Sequence, residues 1–261
     1  NLEWVGAVLS TGQQLRSPVI FGVSGGTVKH MLGLKCIHDI VVNAMDYLNI
    51  DIPVALHLDH GTTREACEAA IDAGFSSIMF DGSHLPFNEN LAITRHLVEL
   101  AHSKGISVEA ELGTIAGSED GIVNSEVIYA DPQECYTLVK ETQVDCLAAA
   151  LGSTHGLYKG KAKLGFTEMK TISELVKVPL VLHGGTGIAD DDMRKAIACG
   201  TAKINVNTEN MYAWCQEVKA IFAADTGHDV NDPRKVINQG LKPVREMIAR
   251  RIELFSSQNR Y

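Results

Sequence analysis

PVALHLDHGTTREACEAAIDAGFSSIMFD, residues 53–81, carries two structural periods in one stretch. PVALHL (53–58) is a nearly continuous apolar run, the pattern of a strand buried on both faces. TREACEAAIDA (63–73) spaces its apolar residues at helical intervals, and SSIMF (76–80) is a second apolar run. Strand, helix and strand in that order make a βαβ unit, which joins parallel strands. The first strand runs into His57, Asp59 and His60, and the second into Asp81. Titratable groups are costly to bury unless they bind a ligand or one another.

The same unit recurs along the chain. Further candidate strands are PVIFGV (18–23), ISVEAEL (106–112), DCLAAAL (145–151), PLVLH (179–183) and AKINV (202–206). Helical patterns lie between them at 34–48, 88–104, 132–142, 166–176 and 190–200, and the segment 1–15 opens the chain with apolar Leu2, Val5, Val8 and Leu9. Alternation from end to end means an α/β fold with a parallel sheet. A strand ahead of the first helix would complete a (β/α)8 TIM barrel. The rival is a doubly wound sheet, but no G-x-G-x-x-G follows any strand, so nothing points to a dinucleotide. We expect a single TIM-barrel catalytic domain over residues 1–261, with the first strand missing from this sequence. Without that strand the sheet keeps two open edges, so the natural polypeptide is expected to be longer.

Composition narrows the function. Of 261 residues 45% are hydrophobic, enough for a sizeable core. The net charge of -9 argues against nucleic acid, which wants clustered Lys and Arg. No apolar run approaches the ~18 residues that cross a bilayer, and no signal peptide is visible. The six cysteines are scattered without a CxxC, as in a reducing compartment. The expected setting is cytoplasmic, with no membrane and no nucleic-acid partner.

Polar groups gather just after the strands: Ser24, Asp59 and His60, Asp81, Glu111, His155, His183, and Asn205 with Asn207 and Thr208. In a barrel these ends converge on the C-terminal face, where active sites of this fold lie. His60, His155 and His183 are each followed by glycine. Three imidazoles from three strand ends can hold a catalytic zinc with one position open. The competing reading is three unrelated structural histidines. His57, inside its apolar run, reads as a hydrogen-bonded structural residue that could orient a ligand. LHGGTGIADDD places Gly184, Gly185 and Thr186 between a strand and a helix, where backbone N–H groups can cradle phosphate, and INVNTEN supplies a second such turn. A zinc beside a phosphate cradle suggests a phosphorylated substrate with a carbonyl to polarise. GTIAGSEDGIVNSE (113–126) is either a solvated loop or one that closes over substrate and brings in Glu119 or Asp120 as a base.

HLDHG, VEAELGT, SED, GSTHGLYKG, LHGGTGI, KINVNTEN and DPRK together resemble the class II, zinc-dependent fructose-bisphosphate aldolase family, in its short bacterial form. The resemblance covers essentially the whole chain, and tagatose-bisphosphate aldolases share the motifs. It implies a glycolytic lyase that reversibly cleaves fructose 1,6-bisphosphate to dihydroxyacetone phosphate and glyceraldehyde 3-phosphate, with tagatose 1,6-bisphosphate or another phosphorylated keto sugar as the alternative substrate. It implies zinc on His60, His155 and His183, with Glu111 and Asp81 holding a second or displaced metal, and a monovalent cation as a further candidate cofactor. Asp59 would handle the proton of the C4 hydroxyl, and Glu119 would exchange the proton of dihydroxyacetone phosphate. Gly156, Gly184, Gly185, Thr186, Asn205, Asn207 and Thr208 would cradle the ketone-side phosphate. Ser24 and Arg234 would contact the other, Arg234 from the partner subunit of a homodimer or homotetramer. Lys203 invites a Schiff-base mechanism, which would leave the three histidines idle. The family usually has glycine where this chain has Ala116.

Overall fold

The computed structural model describes residues 1–119, 122–124, 128–156, 162–224 and 231–261, with only the backbone at 116, 118, 119 and 122–124. Along the chain run α1 (Leu2–Leu15), β1 (Val19–Val23), α2 (Gly25–His30), α3 (Leu34–Leu48), β2 (Val54–Gly61), α4 (Arg64–Asp72), β3 (Ser77–Phe80), α5 (Phe87–Ser103) and β4 (Ser107–Leu112). Then come β5 (Ala116–Glu119), β6 (Ile122–Asn124), α6 (Pro132–Thr142), β7 (Cys146–Ala149), β8 (Thr154–His155), α7 (Phe166–Val176), β9 (Leu180–Leu182), α8 (Asp190–Ala198), β10 (Thr201–Ile204), α9 (Thr208–Ala224) and α10 (Pro233–Leu254).

Seven strands form one sheet in the order β1-β2-β3-β4-β7-β9-β10. The pairs from β2 onward are parallel. Order in space follows order in the chain without a reversal. A doubly wound sheet reverses at a switch point; this sheet has the strand order of a TIM barrel, as the alternation predicts. Among the described residues no pairing joins β1 to β10.

Both faces of the central strands are covered. Ile78, Met79 and Phe80 on β3, Val108 and Ala110 on β4, and Leu147 and Ala148 on β7 are buried. Helix boundaries follow local chemistry. Asp131 caps α6 by accepting from the N–H groups of Gln133 and Glu134, Pro132 occupies its first turn, and Gln143 ends it in the left-handed region. Cys135, Leu138, Val139 and Thr142 then fall on the buried face. Thr63 caps α4 in the same way.

The contacts divide the chain into two compact units. One comprises Asn1–Val19, Asp39–Val54 and Val206–Tyr261, and the other Ile20–His38 and Ala55–Asn205. In the first, α1 and α10 pack together, α9 lies against α10, and the rings of Trp4 and Trp214 stand 6.1 Å apart. The second carries the sheet from Ile20 onward and every strand-end group up to Asn205.

Ser24, just after β1, caps the short helix α2. One feature departs from the sequence reading: the acidic segment is not merely a loop, because β5 pairs antiparallel with β6 and parallel with β8. Strands this short have no periodicity to read, and the β8 partner lies far away in sequence. Among the described residues no helix is long and apolar enough to cross a membrane.

Candidate functional site

A bulge at the end of β2 explains its crowded titratable groups. Leu58 faces Ile78 and Gly61 faces Phe80, so Asp59 and His60 together oppose the single residue Met79. In a regular strand His57 and Asp59 share one face and His60 takes the other. The extra residue breaks that alternation, and His60 adopts φ 50° in the left-handed region. Strain of this kind, of order 1–3 kcal/mol, is kept where surrounding structure demands it. Both residues then serve one site. The His60 ring lies 4.5 Å from that of His183, and Asn205 Nδ2 donates to Asp59 Oδ1 at 2.8 Å while standing 3.3 Å from His183 Nδ1.

The structure brings His60, His155 and His183 together. One ring nitrogen from each lies within 4.8 Å of those of the other two. The rings of His155 and His183 are nearly parallel at 6.0 Å, and His60 sits 5.1 Å from His155. His155 is held by close backbone approaches on both sides. Gly117 of β5 pairs with His155 at φ 113°, and a Cβ there would stand 2.4 Å from the His155 carbonyl oxygen. Gly184, just past β9, would put a Cβ 2.2 Å from the Thr154 carbonyl oxygen. Glycine lets β8 nestle between these segments.

Carboxylates orient two of the rings. His60 Nδ1 bonds Asp81 Oδ2 at 2.9 Å, and Ser83 secures Asp81 from its other oxygen. His183 Nε2 bonds Glu109 Oε1 at 2.9 Å. A neutral histidine that gives one N–H to a carboxylate presents its other nitrogen as a lone pair, the usual dress of a metal-ligating imidazole. A second group, His60 with Asp81 and Glu111, also places three ligand atoms within 4.8 Å of one another.

Burial opposes charge on all three histidines, with different results. For His60 the Asp81 hydrogen bond and the charges of Asp59, Glu111 and Asp81 outweigh burial and raise its pKa to about 9. For His155 burial and the neighbouring imidazoles lower it to about 3. His183 is lowered by burial against the pull of Glu109. Asp59 resists burial because His183, His60, Lys203 and His57 hold it ionised, at about 2. Glu111 goes the other way, raised well above the carboxylate range by burial and by Asp81. A site that already carries concentrated negative charge and two neutral imidazoles is built to accept a cation.

Other sequence-derived candidates are distributed as follows. Thr186 is buried and Gly156 has φ 86°. The Gly185 N–H donates to the Asn205 carbonyl, so that amide is engaged within the protein. Ser24 Oγ accepts from the Thr27 N–H at the start of α2. Asn207, Thr208 and Arg234 belong to the first compact unit, where Asn207 and Thr208 open α9 and Arg234 forks onto Asp232. Glu119 ends β5, but its side chain, like all of Asp120, lies outside the described residues. The sequence reading passed over Glu109. It is fully buried and touches both His183 and Lys203. The signal was its spacing of two from Glu111, which puts both acids on one face of β4.

A family model described as "Fructose-bisphosphate aldolase class-II" matches residues 1–260. The chain is 51% identical to the fructose-bisphosphate aldolase of Geobacillus stearothermophilus and 52% identical to that of Staphylococcus aureus (strain COL). Each match spans 260 residues, 100% of this chain and 90% of the relative. Among solved structures, the YdjI aldolase from Escherichia coli is similar at 32% identity with a TM-score of 0.85, covering 99% of this chain and 89% of that one. The fructose-bisphosphate aldolase from Campylobacter jejuni shares the fold at 24% identity, with a TM-score of 0.84 and the same coverage.

Proposed function

The chain belongs to the class-II fructose-bisphosphate aldolase family, and from that premise we propose that it reversibly cleaves fructose 1,6-bisphosphate to dihydroxyacetone phosphate and glyceraldehyde 3-phosphate with zinc as its metal. The observation that carries this reading is the convergence of His60, His155 and His183 with Asp59 beside them. The donor set fits zinc, since imidazole nitrogens with carboxylate partners behind them suit that ion. His60, His155 and His183 would hold it, and Asp81 with Glu111 would offer a second position. When bound, zinc polarises a ketone oxygen and stabilises negative charge that develops there.

The chain's own residues do the rest. Asp59, ionised and fixed by Asn205, accepts the proton of the C4 hydroxyl as the C3–C4 bond breaks and C4 becomes the aldehyde carbon. Glu119 returns a proton to C3 to complete dihydroxyacetone phosphate. Gly156, Gly184, Gly185, Thr186 and Asn205 would bind the ketone-side phosphate, and Ser24 with Arg234 of a partner subunit would bind the other. Lys203 is not a Schiff-base nucleophile, because that role needs a neutral amine and its ammonium is paired with Glu109 at 2.7 Å. The reading carries with it a cytoplasmic homodimer or homotetramer.

A coupled cleavage assay tests it. Fructose 1,6-bisphosphate and tagatose 1,6-bisphosphate are compared before chelation, after chelation and after zinc is restored. Chelator-sensitive turnover of the fructose substrate is expected. A preference for tagatose would change the substrate and keep the chemistry. Turnover that survives complete metal removal would overturn the roles of the three histidines.

A further inference from the structure

Behind the histidine cluster lies a buried charged network that the cleavage chemistry does not use. Glu109 Oε1 bonds His183 Nε2 at 2.9 Å, and Glu109 Oε2 accepts from Lys203 Nζ at 2.7 Å. Lys203 Nζ also lies 3.3 Å from His57 Nε2, and His57 Nδ1 lies 2.8 Å from Ser77 Oγ. The side chains of Glu109, His183 and His57 are 0%, 1% and 2% exposed, so water does not share these bonds.

Donor and acceptor roles follow from valence. An ammonium only donates, so His57 Nε2 accepts and its Nδ1–H donates to Ser77. A carboxylate only accepts, so His183 carries its proton on Nε2 and keeps the lone pair on Nδ1. Glu109 turns Oε1 to His183 and Oε2 to Lys203, with the Cys146 thiol a further donor to Oε2 at 3.7 Å, and Lys203 balances its charge where an unpaired carboxylate would be expensive.

We propose that Glu109 and Lys203 are positioning residues: Glu109 holds His183 in the Nε2–H tautomer that offers Nδ1 to the metal, and Lys203 supplies the charge that keeps Glu109 there. The proposal rests on the reading of the three histidines as ligands. It makes a directional claim about Glu109→Gln. The Lys203 ammonium requires an acceptor and takes the amide oxygen. The amide NH2 then faces His183 Nε2, which must become an acceptor, and the imidazole proton moves to Nδ1, where Asn205 Nδ2, 3.3 Å away, gives up that contact and keeps its bond to Asp59. The lone pair leaves the position where the metal needs it. Removing the ammonium as well, in Glu109→Gln with Lys203→Met, frees the amide to turn its oxygen back to His183.

Long-range 15N correlation NMR of the metal-free full chain reads the tautomer, and competition with a chromogenic chelator reads zinc affinity. The wild type is expected to show His183 as Nε2–H. Glu109→Gln is expected to show Nδ1–H and to bind zinc roughly 10- to 100-fold more weakly. The double variant is expected to return to Nε2–H and regain most of the affinity, which a merely structural ion pair would not do. An Nδ1–H His183 in the wild type overturns the proposal without any variant, as does a Glu109→Gln protein that keeps Nε2–H or binds zinc within twofold of wild type. If the single variant does not fold, the double variant, with both charges removed, decides: failure to regain Nε2–H overturns the proposal. A wild type that binds no zinc would sink the metal reading instead, while the tautomer comparison still judges Glu109.

Discussion

Asp59 is a buried carboxylate that stays ionised because cations and imidazoles surround it and Asn205 donates to it. It accepts no metal in the proposed arrangement, so its role separates cleanly from metal binding. Asp59→Asn keeps the shape and removes the proton acceptor. We expect turnover to fall by about 10²- to 10⁴-fold with zinc content unchanged, as read by steady-state kinetics and metal analysis on one sample. His57 gives a different signature. Burial and the Lys203 charge lower its pKa from 6.5 to about 4. The folded state therefore keeps it neutral where the unfolded chain takes up a proton. Its contribution is present above pH 6.5 and is lost as the pH falls through 4, with a slope of up to ~1.4 kcal/mol per pH unit. In urea unfolding of the metal-free protein between pH 7 and pH 4 this slope adds to those of His155 and His183, whose pKa values are also lowered, and His57→Asn should remove only the His57 share.

The elements decide how those residues meet. The β2 bulge aims Asp59 and His60 into one site, and β8 is gripped by glycines from two other segments. Gly117 combines φ 113° with a 2.4 Å approach to the His155 backbone, so no side chain fits there. Gly117→Ala must push β5 and β8 apart and carry His155 with them. Because a displacement of about 1 Å can cost 10²-fold at a site, zinc affinity is expected to fall at least tenfold, by chelator competition. The thermal transition of the metal-free protein should move little, since β5, β6 and β8 form a sheet separate from the seven-stranded one. A Gly117→Ala protein with wild-type zinc affinity would mean that this pairing does not place His155.

At the scale of the molecule, a parallel sheet in sequential order gathers strand-end groups from β2, β3, β4, β9 and β10 around one site. A cation bound by His60, His155 and His183 would link distant segments, and by mass action it would stabilise only the folded chain. At 1,000 times its dissociation constant zinc should add about 4 kcal/mol, seen as a higher calorimetric Tm that a chelator reverses. Much of this organisation was readable from residue order. Buried parallel strands are continuous apolar runs, helices end at caps, and both are set by neighbours a few residues apart. The seven strands read from the sequence all recur as β1, β2, β3, β4, β7, β9 and β10.

What the sequence by itself determined, then, was the parallel α/β order and the choice of His60, His155 and His183 as residues to watch, because period, capping and position at a strand end are local properties. Only the tertiary structure decided that His60 turns through a bulge to join Asp59, that β5 pairs with β8, and that Glu109 lies between His183 and Lys203. The last two contacts span 74 and 94 residues of chain. No local preference chooses such partners; the folded sheet does, by bringing buried donors and acceptors to within 3 Å and leaving them no water to bond instead.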